Sequence, residues 1–145
     1  MQLSHDQLCQ LIPHAGKMCL LDSVIDWNSE EIQCRATSQT AADNPLRYHH
    51  SLAAINGVEY AAQAMAIHGA LLSDNRERPR IGYLAALRDV KLLAESLHQE
   101  SELLLHCRKL AGDSNGFIYT FEVHGTSALL VSGRATVITQ GGAHA

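Results

Sequence analysis

Paired-cysteine motifs are missing from this chain. Its four cysteines, Cys9, Cys19, Cys34 and Cys107, are scattered and form no C-x-x-C pair. Neither a disulfide framework nor a structural zinc motif can be read. Three of the four lie in apolar-periodic segments, so reduced core thiols are expected. Basic charge is also scarce: 11 Lys and Arg stand against 15 Asp and Glu, giving a formal charge of -4 and a pI near 6.1. That balance excludes a general nucleic-acid binder and a basic membrane-surface protein. The N-terminus lacks a basic region followed by an apolar run. The most apolar stretch is broken by Glu59, Gln63 and His68, so neither a leader nor a membrane span is expected, and a cytoplasmic protein is the default. Repeats, low-complexity blocks and linkers are absent too. The 145 residues suit one domain, 1–145, large enough for a core without staples.

What is present centres on Ser51 to Leu72, SLAAINGVEYAAQAMAIHGALL. It is Ala-rich and apolar on nearly every side, the pattern of a buried helix. With Ser51 as N-cap it would run about 30 Å, roughly the width of a small domain. Asn56, Glu59 and Gln63 interrupt the apolar surface within about 60° of one another, and Ala66 and Ala70 continue their line. Burying a lone carboxylate costs several kcal/mol, so Glu59 requires a partner, a proton or a function.

The remaining elements follow in order. Ser4 and Gln7 are spaced as a capping box, with Leu3 and Leu8 as its staple, for a short helix within residues 1–12 that Pro13 ends. Leu20–Trp27 and Glu31–Thr37 read as strands, the second with Ile32, Cys34 and Ala36 inward. Ser38–His50 is a loop. After the long helix come a polar Arg-bearing turn (Ser73–Arg80) and four strands: Ile81–Leu93, Glu102–Leu110, Phe117–His124 and Leu129–Ile138. Residues 140–145 form a frayed tail. Short turns imply antiparallel neighbours. The fold class is therefore α+β, an antiparallel sheet of about six strands wrapped around one central helix.

Two stretches sharpen the reading. Leu11-Ile12-Pro13-His14-Ala15-Gly16-Lys17-Met18-Cys19-Leu20-Leu21-Asp22-Ser23-Val24 resembles the opening motif of the hotdog-fold 3-hydroxyacyl-[acyl carrier protein] dehydratases. Gly57-Val58-Glu59-Tyr60-Ala61-Ala62-Gln63-Ala64 is similar to that family's helix motif, a glutamate followed four residues later by glutamine. Within the family the chain looks most like the compact branch associated with aryl-polyene pathways. It departs from the housekeeping members at Ala15-Gly16 after the motif histidine, at Ala53-Ala54 before the helix and at Ala94-Glu95-Ser96 after the third strand.

The resemblance implies a hotdog homodimer, a possible second hotdog subunit, an acyl carrier protein as substrate bearer, no metal or redox cofactor, and an active site between subunits where His14 and Glu59 meet. Dehydration needs a base for the C2 proton and an acid for the C3 hydroxyl. Neutral His14 suits the base, because imidazole titrates near working pH. Glu59 suits the acid, because desolvation favours the protonated carboxyl. Gln63 is the expected partner of Glu59, and the Gly57 N–H the donor to the thioester oxygen. Asn56, Tyr60 and Ala66 are candidate pocket residues. Arg76, Arg78 and Arg80 are candidate carrier contacts. Glu59 paired with Arg88 as a structural carboxylate is the plain alternative. No further ligand accompanies His49, His50 or His68 at zinc spacing, so no metal site is expected. A hotdog thioesterase and a non-catalytic acyl-binding subunit are the rival functions.

Overall fold

Two-residue alternation decides most of the architecture. The computed structural model describes residues 2–12, 16–73, 81–113 and 115–140. His14, Arg76, Arg78, Arg80 and the tail 141–145 lie outside the described residues, and with them the expectations placed there.

Strand β1 spans Ser23–Trp27, β2 Glu31–Ala36, β3 Ile81–Leu92, β4 Leu103–Gly112, β5 Gly116–His124 and β6 Leu129–Gln140. The inward set predicted for β2 is found, with Ile32, Cys34 and Ala36 buried; on β5 Tyr119, Phe121 and Val123 are buried and Phe117, on the same face, is half-buried. Leu103, Leu105 and Cys107 of β4 and Val131, Ala135 and Val137 of β6 complete the same face. The strands form one antiparallel sheet in the order β1-β2-β4-β5-β6-β3, which leaves β1 and β3 at its edges. Helix α2, Gly57–Leu72, lies on the buried face with Tyr60, Ala61, Ala64, Met65, Ile67 and Leu71 in the core. Each large apolar side chain so buried contributes about 1.5–3 kcal/mol, which makes this helix–sheet layer the main source of stability. No helix among the described residues is long and apolar enough to cross a membrane.

The helix begins later than its composition predicts. Ser51 is not the N-cap. It pairs with Tyr48 across a turn whose central residues, His49 and His50, both have positive φ. The backbone of 52–54 is then claimed by the β3–β4 connection: Leu97 N–H donates to Leu52 O at 2.8 Å, Ala54 N–H to Glu95 O at 3.0 Å, and Leu52 N–H to His98 Nδ1 at 3.2 Å. These bonds hold the segment extended through Ala53, whatever the helix propensity of its alanines. A single 3-10 turn, Ala54–Asn56, leads into α2. The helix proper is 16 residues, about 24 Å, rather than 30.

At the N-terminus α1 covers His5–Cys9 and carries the expected capping box between Ser4 and Gln7. Leu3, packed against the core that holds Leu8, also pairs its backbone with Val24, which lays α1 beside residues 19–21. This corrects the cysteine expectation for one pair. Cys9 and Cys19, with Cα atoms 6.0 Å apart, are disulfide-bonded. Cys34 and Cys107 are free and buried as expected, and burial pushes the Cys34 thiol up to about 12.

His68, a metal candidate by residue type only, is fully buried and has both ring nitrogens engaged. Nε2 lies 2.7 Å from Asn28 O and Nδ1 2.7 Å from Tyr119 Oη. The carbonyl can only accept, so Nε2 carries the proton and Nδ1 accepts from the tyrosine. Burial lowers the histidine's pKa below its ordinary value. The unfolded chain therefore takes up a proton near pH 6.5 that the folded chain resists. His68 stabilises the fold above that pH and loses its contribution as pH falls. Urea unfolding between pH 7.5 and 5.5 should show stability falling with acidification, and His68→Gln should flatten that slope by at most about 1.4 kcal/mol per pH unit.

Candidate active site

The site is built where α2 starts on the sheet. Gly57 is buried there, and a Cβ at this position would stand 3.2 Å from Val131 Cγ2 and 3.3 Å from Val123 Cγ2. The residue's main service is close packing. Its N–H is directed at the carbonyls of Ala54 and Ile55 in the preceding 3-10 turn. Asn56 also turns inward on the chain, with Nδ2 donating to Ala53 O at 3.2 Å.

Glu59 lies in the first turn of α2 and is half-buried. One turn on, Gln63 is almost fully buried and makes three bonds. Nε2 donates to Met18 O at 2.7 Å and to Glu59 Oε1 at 3.4 Å, while Oε1 accepts from Leu20 N–H at 2.9 Å. The predicted Gln63–Glu59 contact is present but is the longest of the three. The shorter two, which composition and spacing do not reveal, fasten α2 to residues 18–20, a few positions beyond His14 in the chain.

Tyr60, expected at the pocket, aims its hydroxyl at the loop that carries Ser38 and Asn44. It is fully buried, with Oη 2.8 Å from Ser38 Oγ and 3.0 Å from Asn44 Nδ2. Ser38 Oγ donates to Leu20 O at 2.7 Å, so it accepts from the tyrosine, whose oxygen accepts in turn from Asn44. Burial raises the phenol's pKa above its ordinary value. This chain also ends on Leu20. The same segment is thus held from α2 by an amide on one side and by a tyrosine–serine relay on the other.

Short of its last residue, Leu72, the half-buried positions of α2 are Glu59, Ala62, Ala66 and Gly69. They form a narrow line of small residues running away from the carboxylate, with nothing within 4 Å of where a Gly69 Cβ would stand. Ala66 is on this line. Ala70, 5 % exposed, belongs to the core instead. His49 and His50 occupy their positive-φ turn tip. The geometry thus joins Glu59 and Gln63, leaves Ala66 beside their line, and turns the Tyr60 hydroxyl toward the loop.

Solved structures of the same overall fold define the class, the hotdog fold. The dehydratase heterocomplex ApeI:P from Xenorhabdus doucetiae superposes with a TM-score of 0.81 at 22 % identity, covering 94 % of this chain and 92 % of that one. A thioesterase from Haemophilus influenzae gives a TM-score of 0.68 at 11 % identity, covering 96 % and 92 %. A conserved protein from Pseudomonas aeruginosa gives 0.66 at 15 % identity, covering 90 % and 97 %. Among curated proteins no sequence match was found. Residues 7–144 match the ApeP-like family, described as ApeP dehydratase, and the chain belongs to that family. It is therefore a hotdog dehydratase of the aryl-polyene type, the branch its motifs resemble.

Two substitutions separate the roles assigned above. Gln63→Leu should cost about 1–3 kcal/mol in chemical denaturation, because it strands the Leu20 N–H and Met18 carbonyl, and it should depress turnover as well. Tyr60→Phe should cost a similar 1–3 kcal/mol while leaving KM unchanged. A raised KM in Tyr60→Phe would place that residue at the pocket.

Proposed function

We propose that the protein dehydrates 3-hydroxyacyl groups carried on acyl carrier protein, with His14 as base and Glu59 as acid. The observation that carries this reading is the family match over residues 7–144, which spans both residues. His14 removes the C2 proton. The C3 hydroxyl takes a proton from Glu59 and leaves as water, and the trans-2-enoyl thioester remains. Gln63 supports the reaction by holding the Glu59 carboxyl and the main chain of residues 18–20 in one frame. No step calls for a metal or redox cofactor.

The acyl chain is proposed to run along Ala62, Ala66 and Gly69, covered by a second hotdog subunit or a second copy of this chain. Edge strand β3 supports that partner. It has no neighbour on its outer side among the described residues, and it carries Leu84, Leu87 and Leu92 exposed, with Leu93, 57 % exposed, just beyond it. An edge of this length is otherwise a liability. The related dehydratase from Xenorhabdus doucetiae is itself a heterocomplex.

Short and medium 3-hydroxyacyl thioesters on carrier protein, assayed together for enoyl product and free thiol, test the proposal. Enoyl formation should fall at least about 100-fold in both His14→Ala and Glu59→Gln. Thiol release lost only with Glu59→Gln would make the protein a thioesterase. A folded, partnered protein that turns over nothing would make it an acyl-binding subunit. Ala66→Leu should shift the preferred substrate toward shorter chains, read as kcat/KM across a chain-length series.

A further inference from the structure

A second cluster of reactive side chains lies at the N-terminus, away from α2. His5 and Cys9 stand one turn apart on α1, and Cys19 faces them from the segment that Gln63 anchors. One ligand atom from each of the three lies within 4.8 Å of the others. The orientation of His5 is the informative observation. Its Nδ1 is 2.7 Å from Leu21 O, a pure acceptor, so the ring proton resides on Nδ1. Nε2 is left with a lone pair, and Cys9 Sγ lies beside the ring, 3.5 Å from Nε2 and 3.7 Å from Nδ1. A histidine whose Nδ1–H is fixed by a backbone carbonyl, with Nε2 unprotonated, is in the tautomer a metal-ligating histidine adopts, and a small ring rotation turns Nε2 toward the sulfur.

The distances fit a specific ion class. Around a tetrahedral zinc, with Zn–N of about 2.0–2.1 Å and Zn–S of about 2.3 Å, a nitrogen and a sulfur ligand are about 3.6 Å apart. The His5–Cys9 separation already matches that edge. Cys19, 4 % exposed, is bonded to Cys9 in the present state and needs only to part from it.

We propose that His5 Nε2, Cys9 Sγ and Cys19 Sγ form a site for a thiophilic divalent cation of the zinc class when the Cys9–Cys19 bridge is reduced. Opening the bridge takes two electrons and two protons from a dithiol, which leaves as its own disulfide. The cation then binds the two sulfurs as thiolates, releases their two protons and keeps water in the fourth position. Bridge and metal are alternative closures of the same stretch of chain, residues 9–19, which contains His14. Either closure ties α1 to the segment held by α2.

The test uses the full chain, reduced with a phosphine and freed of metal, titrated with Co2+ and then Zn2+. Reduced protein should develop thiolate-to-cobalt charge-transfer absorption and tetrahedral d–d bands that saturate at about one ion per chain and are abolished by Zn2+. Bridged protein should show neither. Cys9→Ser, at a partly exposed position, should abolish the charge-transfer band. His5→Ala should weaken binding at least about tenfold, since loss of an outer-shell partner alone costs that much. Absence of the bands in reduced protein, or their persistence in Cys9→Ser, would overturn the proposal. The readout is spectroscopic and independent of turnover, so it stands or falls separately from the dehydratase reading.

Discussion

The buried amide of Gln63 is the constraint on which the site depends. Its oxygen and nitrogen reach Leu20 N–H and Met18 O while the nitrogen also touches Glu59. A neutral amide is suited to this task because it donates and accepts at once and carries no charge to desolvate. An apolar side chain here would leave a buried N–H and a carbonyl unpaired, and a carboxylate would lose the donor. Tyr60 reinforces the same point from the adjacent position on α2, through Ser38 to the carbonyl of Leu20. The frame of the active site is thus set by hydrogen bonds to main chain, and packing supplies the rigidity behind them.

How much of this was legible in the residues depended on the range of the force involved. The strands were readable because burying one face imposes a two-residue period on every strand that packs against α2. The inward sides of β2, β5 and β6 follow from that period, whereas the edge strand β3 keeps Leu84, Leu87 and Leu92 exposed. Glu59 was legible as an anomaly, since a carboxylate on an apolar helix requires an account. The helix start was misread. Alanine-rich Ser51–Ala54 favours helix locally, but Glu95, Leu97 and His98 claim its backbone from forty or more residues away, and no local pattern records a bond of that reach. The bonds of Tyr60 were illegible for the same reason. Its position on α2 suggested a pocket, whereas Ser38 and Asn44, from a loop with no periodicity, determine what its hydroxyl does.

The cysteines teach a related lesson. Cys34 and Cys107 sit at inward positions of β2 and β4, where thiols behave as small apolar groups, and there the periodic reading succeeds. Cys9 and Cys19 are brought together by the pairing of Leu3 with Val24, a contact between two segments with no common period. The structure therefore contains two kinds of cysteine, one used for its volume and one placed for its chemistry.

Strand β3 carries two irregularities, at Leu84–Ala86 and at Arg88–Lys91, where Asp89 and Val90 together oppose Gly133 and Asp89 takes a positive φ. Each extra residue resets which side chains face out, so the edge is divided into stretches that are out of step with one another. A straight foreign strand can match one stretch and then falls out of register with the next. A partner strand with complementary breaks can match them all. Discrimination between partners is in this way written into the spacing of the backbone, and it would survive the exchange of every exposed leucine along the edge.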